Sequence, residues 1–157
     1  MPVTMAKLPP LPNAVTGSKA PVQVLATIDG KIQLNAVEIP VVANPGVSIP
    51  IDLHWTILDP FSCNCKLFIH LVREDDVTPL AQKDEPIMAG RYPSYLWNSG
   101  EQLEDRHWLE LPQSLQPGSY LLLMGLYRDE PGWPRLQIRN ESDSIQRDSY
   151  EMCIRDR

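Results

Sequence analysis

The chain has 157 residues and a formal net charge of −6, long enough for one domain whose core needs no disulfide bonds. Because the chain is acidic and has no cluster of lysines or arginines, we expect no nucleic-acid partner. No run approaches the ~20 apolar residues that span a bilayer, so we expect no membrane insertion by this segment.

Residues 1–20 predict a proline-rich linker. Pro9, Pro10 and Pro12 fall within four positions, and the apolar residues around them show no periodicity. Such a segment is typically extended, and we expect it to follow something upstream, with a membrane domain as the candidate.

The first two predicted strands form a hairpin. Val22–Ile28 and residues 31–39 flank Asp29-Gly30, a pair that tolerates the positive φ angles of a tight hairpin turn. Asn44-Pro45-Gly46 then predicts a turn into the next strand.

Residues 47–57, read V-S-I-P-I-D-L-H-W-T-I, alternate apolar and polar side chains at every position. Alternation with period two predicts a strand with one buried and one solvated face. The predicted core face carries Ile49, Ile51, Leu53 and Trp55 and should meet residues 121–126, whereas Asp52, His54 and Thr56 are expected in solvent. Pro50 places that stretch at a sheet edge or a bulge.

The remaining strands follow at intervals of roughly 8–12 residues. Residues 65–72 are apolar on both faces and indicate an interior strand, and residues 119–127, the most hydrophobic run, indicate a central one. Shorter strands are predicted at 79–83, 105–111 and 135–139. The pattern predicts an all-β fold: an antiparallel, two-sheet, immunoglobulin-like β-sandwich of about eight strands with no significant helix.

The longest non-periodic segment, residues 90–102, gives the candidate binding residues. Aromatic rings on β-sandwich loops stack on sugar faces, and charged neighbours can bond hydroxyl groups. The candidates are Arg91, Tyr92, Tyr95, Trp97 and Glu101. The alternative is that the loop packs on itself, since tyrosine and tryptophan are usually at least partly buried.

Cysteines, histidines and carboxylates give no catalytic or metal motif. Cys63-Asn64-Cys65 has no second zinc-binding knuckle and is read as one turn thiol and one buried thiol, although a strained disulfide is the alternative. His54, His70 and His107 lie on three predicted strands, with His54 and His70 as potential cross-strand neighbours. We therefore expect no enzyme activity, no metal and no cofactor.

The C-terminal residues 147–157 are predicted to be a non-native or disordered tail. Their last six residues, M-C-I-R-D-R, look like the translation of a transposon-end sequencing adaptor. The sandwich domain is accordingly assigned to residues 21–146, and we expect it to lack its last native strand.

The order of several short motifs resembles a β-sandwich domain at the extracytoplasmic C-terminus of bacterial multi-spanning membrane glycosyltransferases of the protein-mannosyltransferase type. The motifs are W-T-I-L-D-P (55–60), L-F-I-H-L-V (67–72), G-R-Y-P-S-Y-L-W (90–97), G-E-Q-L-E-D-R-H (100–107), Q-P-G-S-Y-L-L-L-M-G-L-Y (116–127) and R-L (135–136). The resemblance covers residues 22–138. It implies a non-catalytic accessory domain outside the membrane, at the cell surface or in the periplasm, with the transfer chemistry in a membrane part.

Three functions are therefore considered. The first is a glycan-recognising accessory domain that contacts a glycan or another cell-envelope component. The second is a structural or protein-interaction module without a small ligand, which requires Tyr92, Tyr95 and Trp97 to be buried. The third is a small hydrolase, which requires two carboxylates, or a histidine and a carboxylate, to converge in a cleft.

Overall fold

The computed structural model describes the backbone of residues 15–18, 22–60, 62–73, 75–140, 146–147 and 150–156. These residues form two six-stranded sheets, which confirms the predicted all-β sandwich. The only helices among them are two single 3₁₀ turns, Ile87–Gly90 and Ser94–Leu96. The strands are β1 (Val15–Ser18), β2 (Val22–Ile28), β3 (Ile32–Glu38), β4 (Pro40–Ala43), β5 (Ser48–Ile57), β6 (Cys65–Arg73), β7 (Asp76–Glu85), β8 (Gln102–Glu110), β9 (Ser119–Arg128), β10 (Ile138–Asn140), β11 (Gln146–Arg147) and β12 (Tyr150–Asp156).

Sheet 1 has the strand order β1-β4-β12-β9-β6-β7, and sheet 2 has the order β11-β10-β2-β3-β5-β8. The described strand pairs are antiparallel except β4 with β12. The β2–β3 hairpin turns at Asp29 and Gly30, whose φ angles of 53° and 63° fit the predicted two-residue turn.

The core lies between β5 of sheet 2 and the β6–β9 pair of sheet 1. Ile49, Ile51, Leu53 and Trp55 are buried, as their alternation predicts, and they share one core cluster with Leu122, Met124 and Leu126 of β9. Apolar area removed from water stabilises a fold by roughly 25 cal/mol per Å², so this double layer of large side chains is the main source of stability.

The opposite face of β5 differs from its prediction, because Asp52 is only 1% exposed. Arg106 of β8 donates from Nε and Nη2 to the two Asp52 oxygens, at 2.5 and 2.7 Å. Asp52 and Arg106 are directly opposite each other in the β5–β8 register, so the guanidinium covers the carboxylate. Alternation alone cannot distinguish a solvated carboxylate from one covered by a cross-strand arginine.

Pro50 was predicted at a sheet edge or a bulge, but it lies in β5, which pairs with strands on both sides. Proline has no backbone N–H to donate, and the strand pairing leaves room for this. Its partner on β8 is Trp108, whereas the pairing of β5 with β3 covers only residues 52–57 of β5. The side of Pro50 that faces away from β8 therefore lies beyond the β3 ladder, where no N–H is required.

Described segments near both ends of the chain pair with strands of sheet 1. Val15–Ser18 of the predicted linker pairs with β4, and the rest of the linker lies outside the described residues. Tyr150–Asp156 of the predicted tail pairs with β9, and the domain bounds 21–146 stay a prediction. The adaptor origin of the tail stays a prediction.

Candidate functional site

The candidate site is the loop of residues 90–102, and three of its five candidate side chains hold the loop together. The Trp97 ring is buried, and its Nε1 donates to the Tyr92 carbonyl at 3.0 Å. The Tyr92 hydroxyl lies 2.6 and 2.8 Å from the two Glu101 oxygens, and the Asn98 N–H donates to Glu101 Oε1 at 3.0 Å. The hydrogen bond to Glu101, with burial, raises the pKa of Tyr92 to about 12, so its hydroxyl keeps its proton at neutral pH.

The other two candidate residues face solvent. Tyr95 lies in the Ser94–Leu96 turn with 72% of its surface exposed, and Leu96 beside it is also exposed. Arg91 is exposed, and its Nε donates to the Met88 carbonyl at 3.4 Å. Tyr92, Trp97 and Glu101 therefore hold the loop in place, whereas Arg91 and Tyr95 face solvent. Among the aromatic rings of residues 90–102, that of Tyr95 is the exposed one.

A cavity of about 310 Å³, here called the loop cavity, lies between this loop and the residues before β6. Tyr92, Tyr95 and Trp97 line it from the loop side, and residues 62–65 line the other side. Ser94 joins the two sides, because its hydroxyl accepts from the Cys63 N–H at 3.0 Å and donates to the Cys63 carbonyl at 3.1 Å. A volume of this size lies at the lower end of the range of ligand sites, ~300–1,000 Å³.

The two cysteines that line the loop cavity are paired as a disulfide, with Cα atoms 5.2 Å apart. This pairing corresponds to the disulfide that the sequence left as the alternative to two separate thiols. Cys63 precedes β6, whereas Cys65 is the first residue of that strand.

A buried ionic network supports the base of the loop. His107 of β8 is fully buried, with Nδ1 2.5 Å from Glu85 Oε1 and Nε2 2.7 Å from Asp105 Oδ2. Asp105 also accepts from the Met88 N–H at 2.9 Å and from Trp55 Nε1 at 3.1 Å. Since β7 belongs to sheet 1 and β8 to sheet 2, the network joins the sheets where the loop begins.

Both ring nitrogens of His107 face carboxylate oxygens, which only accept, so the arrangement fits the doubly protonated imidazolium. Burial by itself lowers the pKa of His107, but the hydrogen bonds and charges of Asp105 and Glu85 outweigh it, and the net effect raises that pKa. The sequence pattern indicates His107 only as one of three histidines on three predicted strands. The available signal was Asp105 and His107 at i and i+2, on the buried face of one strand.

The other histidines do not meet. His54 lies on β5 of sheet 2 and His70 on β6 of sheet 1, so the prediction that they could be cross-strand neighbours is wrong. Within the described ranges, no three His, Cys, Asp or Glu side chains are placed to hold a metal ion. Among the same residues there is no helix with the length and hydropathy of a membrane span.

The fold of this chain is similar to that of a solved structure. No protein-family model matches the chain, and no curated protein does. The chain is similar to the crystal structure of the C-terminal domain of wzt, with 18% identity, a TM-score of 0.51 and coverage of 86% of this chain and 75% of that one. The likeness shows a shared β-sandwich fold.

Proposed function

We propose that this chain is a non-catalytic, extracytoplasmic accessory domain that recognises a glycan for an attached membrane glycosyltransferase. The proposal rests on the exposed aromatic ring of Tyr95, which lines the loop cavity. The hydrogen bonds of Tyr92, Trp97 and Glu101 hold its loop in place. A pyranose ring has an apolar face that packs on such a ring, and the fixed loop lowers the entropy lost on binding. The membrane glycosyltransferase and the location outside the cytoplasm are supported by the motif resemblance.

The loop cavity offers polar groups next to the aromatic ring. Ser94 and Asn64 line it together with apolar surface from Pro93 and Ile87. A mixed lining with a few directed polar groups is typical of small-ligand sites. The loop cavity has neither a carboxylate nor a histidine among its lining residues, so it does not meet the requirement set for a hydrolase.

The test is calorimetric titration of the 157-residue chain with mannohexaose, isomaltohexaose and soluble bacterial envelope polysaccharide. Tyr95→Ala should weaken binding about tenfold, equivalent to ~1.4 kcal/mol, whereas Tyr95→Phe keeps the ring and should bind as the parent does. Trp97→Ala is a poor probe, because Trp97 is buried and its loss would disturb the loop itself. Absence of binding to all three glycans would refute the proposal.

The burial of Tyr95 that we expected for a module without a small ligand is not met, because its ring is exposed. The second candidate is therefore a module that uses the exposed Tyr95 and its neighbour Leu96 for a protein contact. A purely self-packed loop is not what the structure shows, since Tyr95 is exposed while Trp97 is buried. A protein contact predicts that Leu96→Asp abolishes binding of the partner and that saccharides have no effect. The glycan proposal predicts a saccharide-dependent response that Leu96→Asp leaves largely intact.

A further inference from the structure

A second concave surface lies on the outer face of sheet 1, away from the loop cavity. It has a volume of about 400 Å³, within the size range of ligand sites, ~300–1,000 Å³. We call it the sheet-face groove. Its lining residues come from β6, β7, β9 and the turn after β9, and they are Phe68, His70, Gln82, Asp84, Tyr127, Trp133 and Arg135.

The strand register explains why this face is concave. Phe68 has Gly125 of β9 as its cross-strand partner, and a glycine leaves the space beside the ring without a side chain. The turn after β9 rises at the end of the groove, where Arg128 N–H donates to the Pro134 carbonyl at 2.9 Å. The guanidinium of Arg135 lies over the Phe68 ring, 4.3 Å from its centre, so these two side chains form the base of the groove.

The polar groups of the groove suit a neutral, hydroxyl-rich ligand. Gln82 and Asp84 of β7 face His70 and Phe68 of β6 in register, so an amide, a carboxylate and an imidazole lie side by side. The Tyr127 hydroxyl donates to Asp84 Oδ2 at 2.9 Å, which orients that carboxylate. Asp84 and Arg135 bring one negative and one positive charge, so the lining favours neither a cation nor an anion.

His70 contributes as a neutral ring. Burial lowers its pKa and Arg135 lowers it further, against the opposing charge of Asp84. At neutral pH the imidazole therefore offers one donor and one acceptor, the pair that a hydroxyl group can satisfy.

Trp133 marks the rim of the groove. Its side chain is 64% exposed, and its backbone has φ of 42°, in the left-handed region that bulky residues rarely adopt. The turn holds it there with a hydrogen bond from the Trp133 N–H to the Glu130 carbonyl at 2.8 Å. A large ring that is kept in water at the expense of backbone strain is more typical of a binding surface than of a structural turn.

We propose that the sheet-face groove binds a segment of a neutral oligosaccharide chain, with the Trp133 ring against a sugar face and Gln82, His70 and Asp84 bonding hydroxyl groups. The inference rests on the proposed glycan function for its class of ligand, but it uses different residues on a different surface.

The experiment uses the indole signals of the 157-residue chain in a ¹H–¹⁵N NMR spectrum. The sequence has four tryptophans, so four side-chain signals are expected, and Trp133→Phe assigns the one of interest. Mannohexaose, isomaltohexaose and cellohexaose are the probes, with polygalacturonate as an anionic comparison. We expect saturable movement of the Trp133 signal with at least one neutral probe and a weaker effect of polygalacturonate.

Variants then separate the groove from the loop. Trp133→Gly removes the ring and suits the left-handed backbone, so it should leave the melting temperature unchanged or higher while weakening binding at least about tenfold. Trp108→Ala, which truncates a 38% exposed tryptophan of sheet 2, is the matched control and should bind as the parent does. Gln82→Ala should weaken binding without changing stability.

The outcomes distinguish the two proposals. Binding that survives Trp133→Gly but is lost in Tyr95→Ala would overturn the groove and leave the glycan function standing. Binding lost in Trp133→Gly but kept in Tyr95→Ala would establish the groove as the site. If no probe moves the Trp133 signal, the groove is overturned, and calorimetry with the same probes decides the loop site separately.

Discussion

Replacing His107 with glutamine should destabilise the sandwich by about 3 kcal/mol. His107 and Asp105 are both buried, and losing one partner of a buried ion pair costs roughly 3–5 kcal/mol because the other charge stays behind. The lower end applies, because Asp105 keeps its bonds from Met88 N–H and Trp55 Nε1, at 2.9 and 3.1 Å. Glu85, with a 24% exposed side chain, can be solvated instead.

The same network gives the wild-type protein a pH-dependent stability with a defined sign. The pKa of His107 is raised in the folded state, so the protonated ring stabilises the fold fully below the unfolded value of about 6.5. That stability is lost as the pH rises through the folded-state pKa. His70 has a lowered pKa, so its contribution increases with pH only up to about 6.5 and does not mask the loss above it.

Urea unfolding followed by tryptophan fluorescence, at roughly pH 6, 7, 8 and 9, measures both effects. The wild-type free energy of unfolding should fall across the alkaline part of this range, whereas His107→Gln should show a flat profile there. A loss of about 3 kcal/mol also corresponds to a melting temperature lower by about 6 to 12 °C for a chain of this length. A wild-type profile parallel to that of His107→Gln above pH ~6.5 would refute the reasoning.

Three further predictions concern the rest of the fold. Tyr92→Phe removes a donor from the buried Glu101 carboxylate and should cost about 1 kcal/mol, with faster amide hydrogen exchange confined to residues 90–102. Arg106→Met leaves Asp52 buried without its bidentate partner and should cost about 3–5 kcal/mol in urea unfolding, most of which Asp52→Leu in the same chain should restore. Gly30→Val should lower the free energy of unfolding by about 1–2 kcal/mol through backbone strain alone, since a Cβ at Gly30 meets no atom within 4 Å. A clearly larger loss at Gly30 would mean that the hairpin turn makes contacts the structure does not contain.

Local patterns predicted the parts of the fold that depend on neighbouring residues. The alternation of Ile49, Ile51, Leu53 and Trp55 fixes which face of β5 is buried, and Asp29-Gly30 fixes the hairpin, because both signals lie within a few residues of sequence. The predicted 79–83 strand was too short, since the structure extends it to Asp76–Glu85. Its charged residues conceal the strand pattern, and only the pairing with β6 reveals it.

The candidate site was predicted less completely, for a physical reason. The aromatic content of residues 90–102 indicated a functional or self-packed loop, and the structure exposes Tyr95 and buries Trp97. That division depends on the Tyr92–Glu101 hydrogen bonds, which composition does not specify. The Glu85–His107 contact joins positions 22 residues apart on different sheets, so no sequence spacing could predict it.

Strand β7 connects the buried ionic network of His107 with the sheet-face groove. Glu85 points inward to His107, whereas Gln82 and Asp84 point outward into the sheet-face groove. Side chains alternate along a strand, so a slip of one residue would exchange these faces and place Lys83 in the groove. The ion pair of Glu85 with His107 therefore helps to fix the register that orients Asp84. We accordingly expect His107→Gln to weaken saccharide binding at the groove as well as stability. Arg106→Met, which is also destabilising but removes a side chain that pairs with Asp52 of β5, should weaken stability alone.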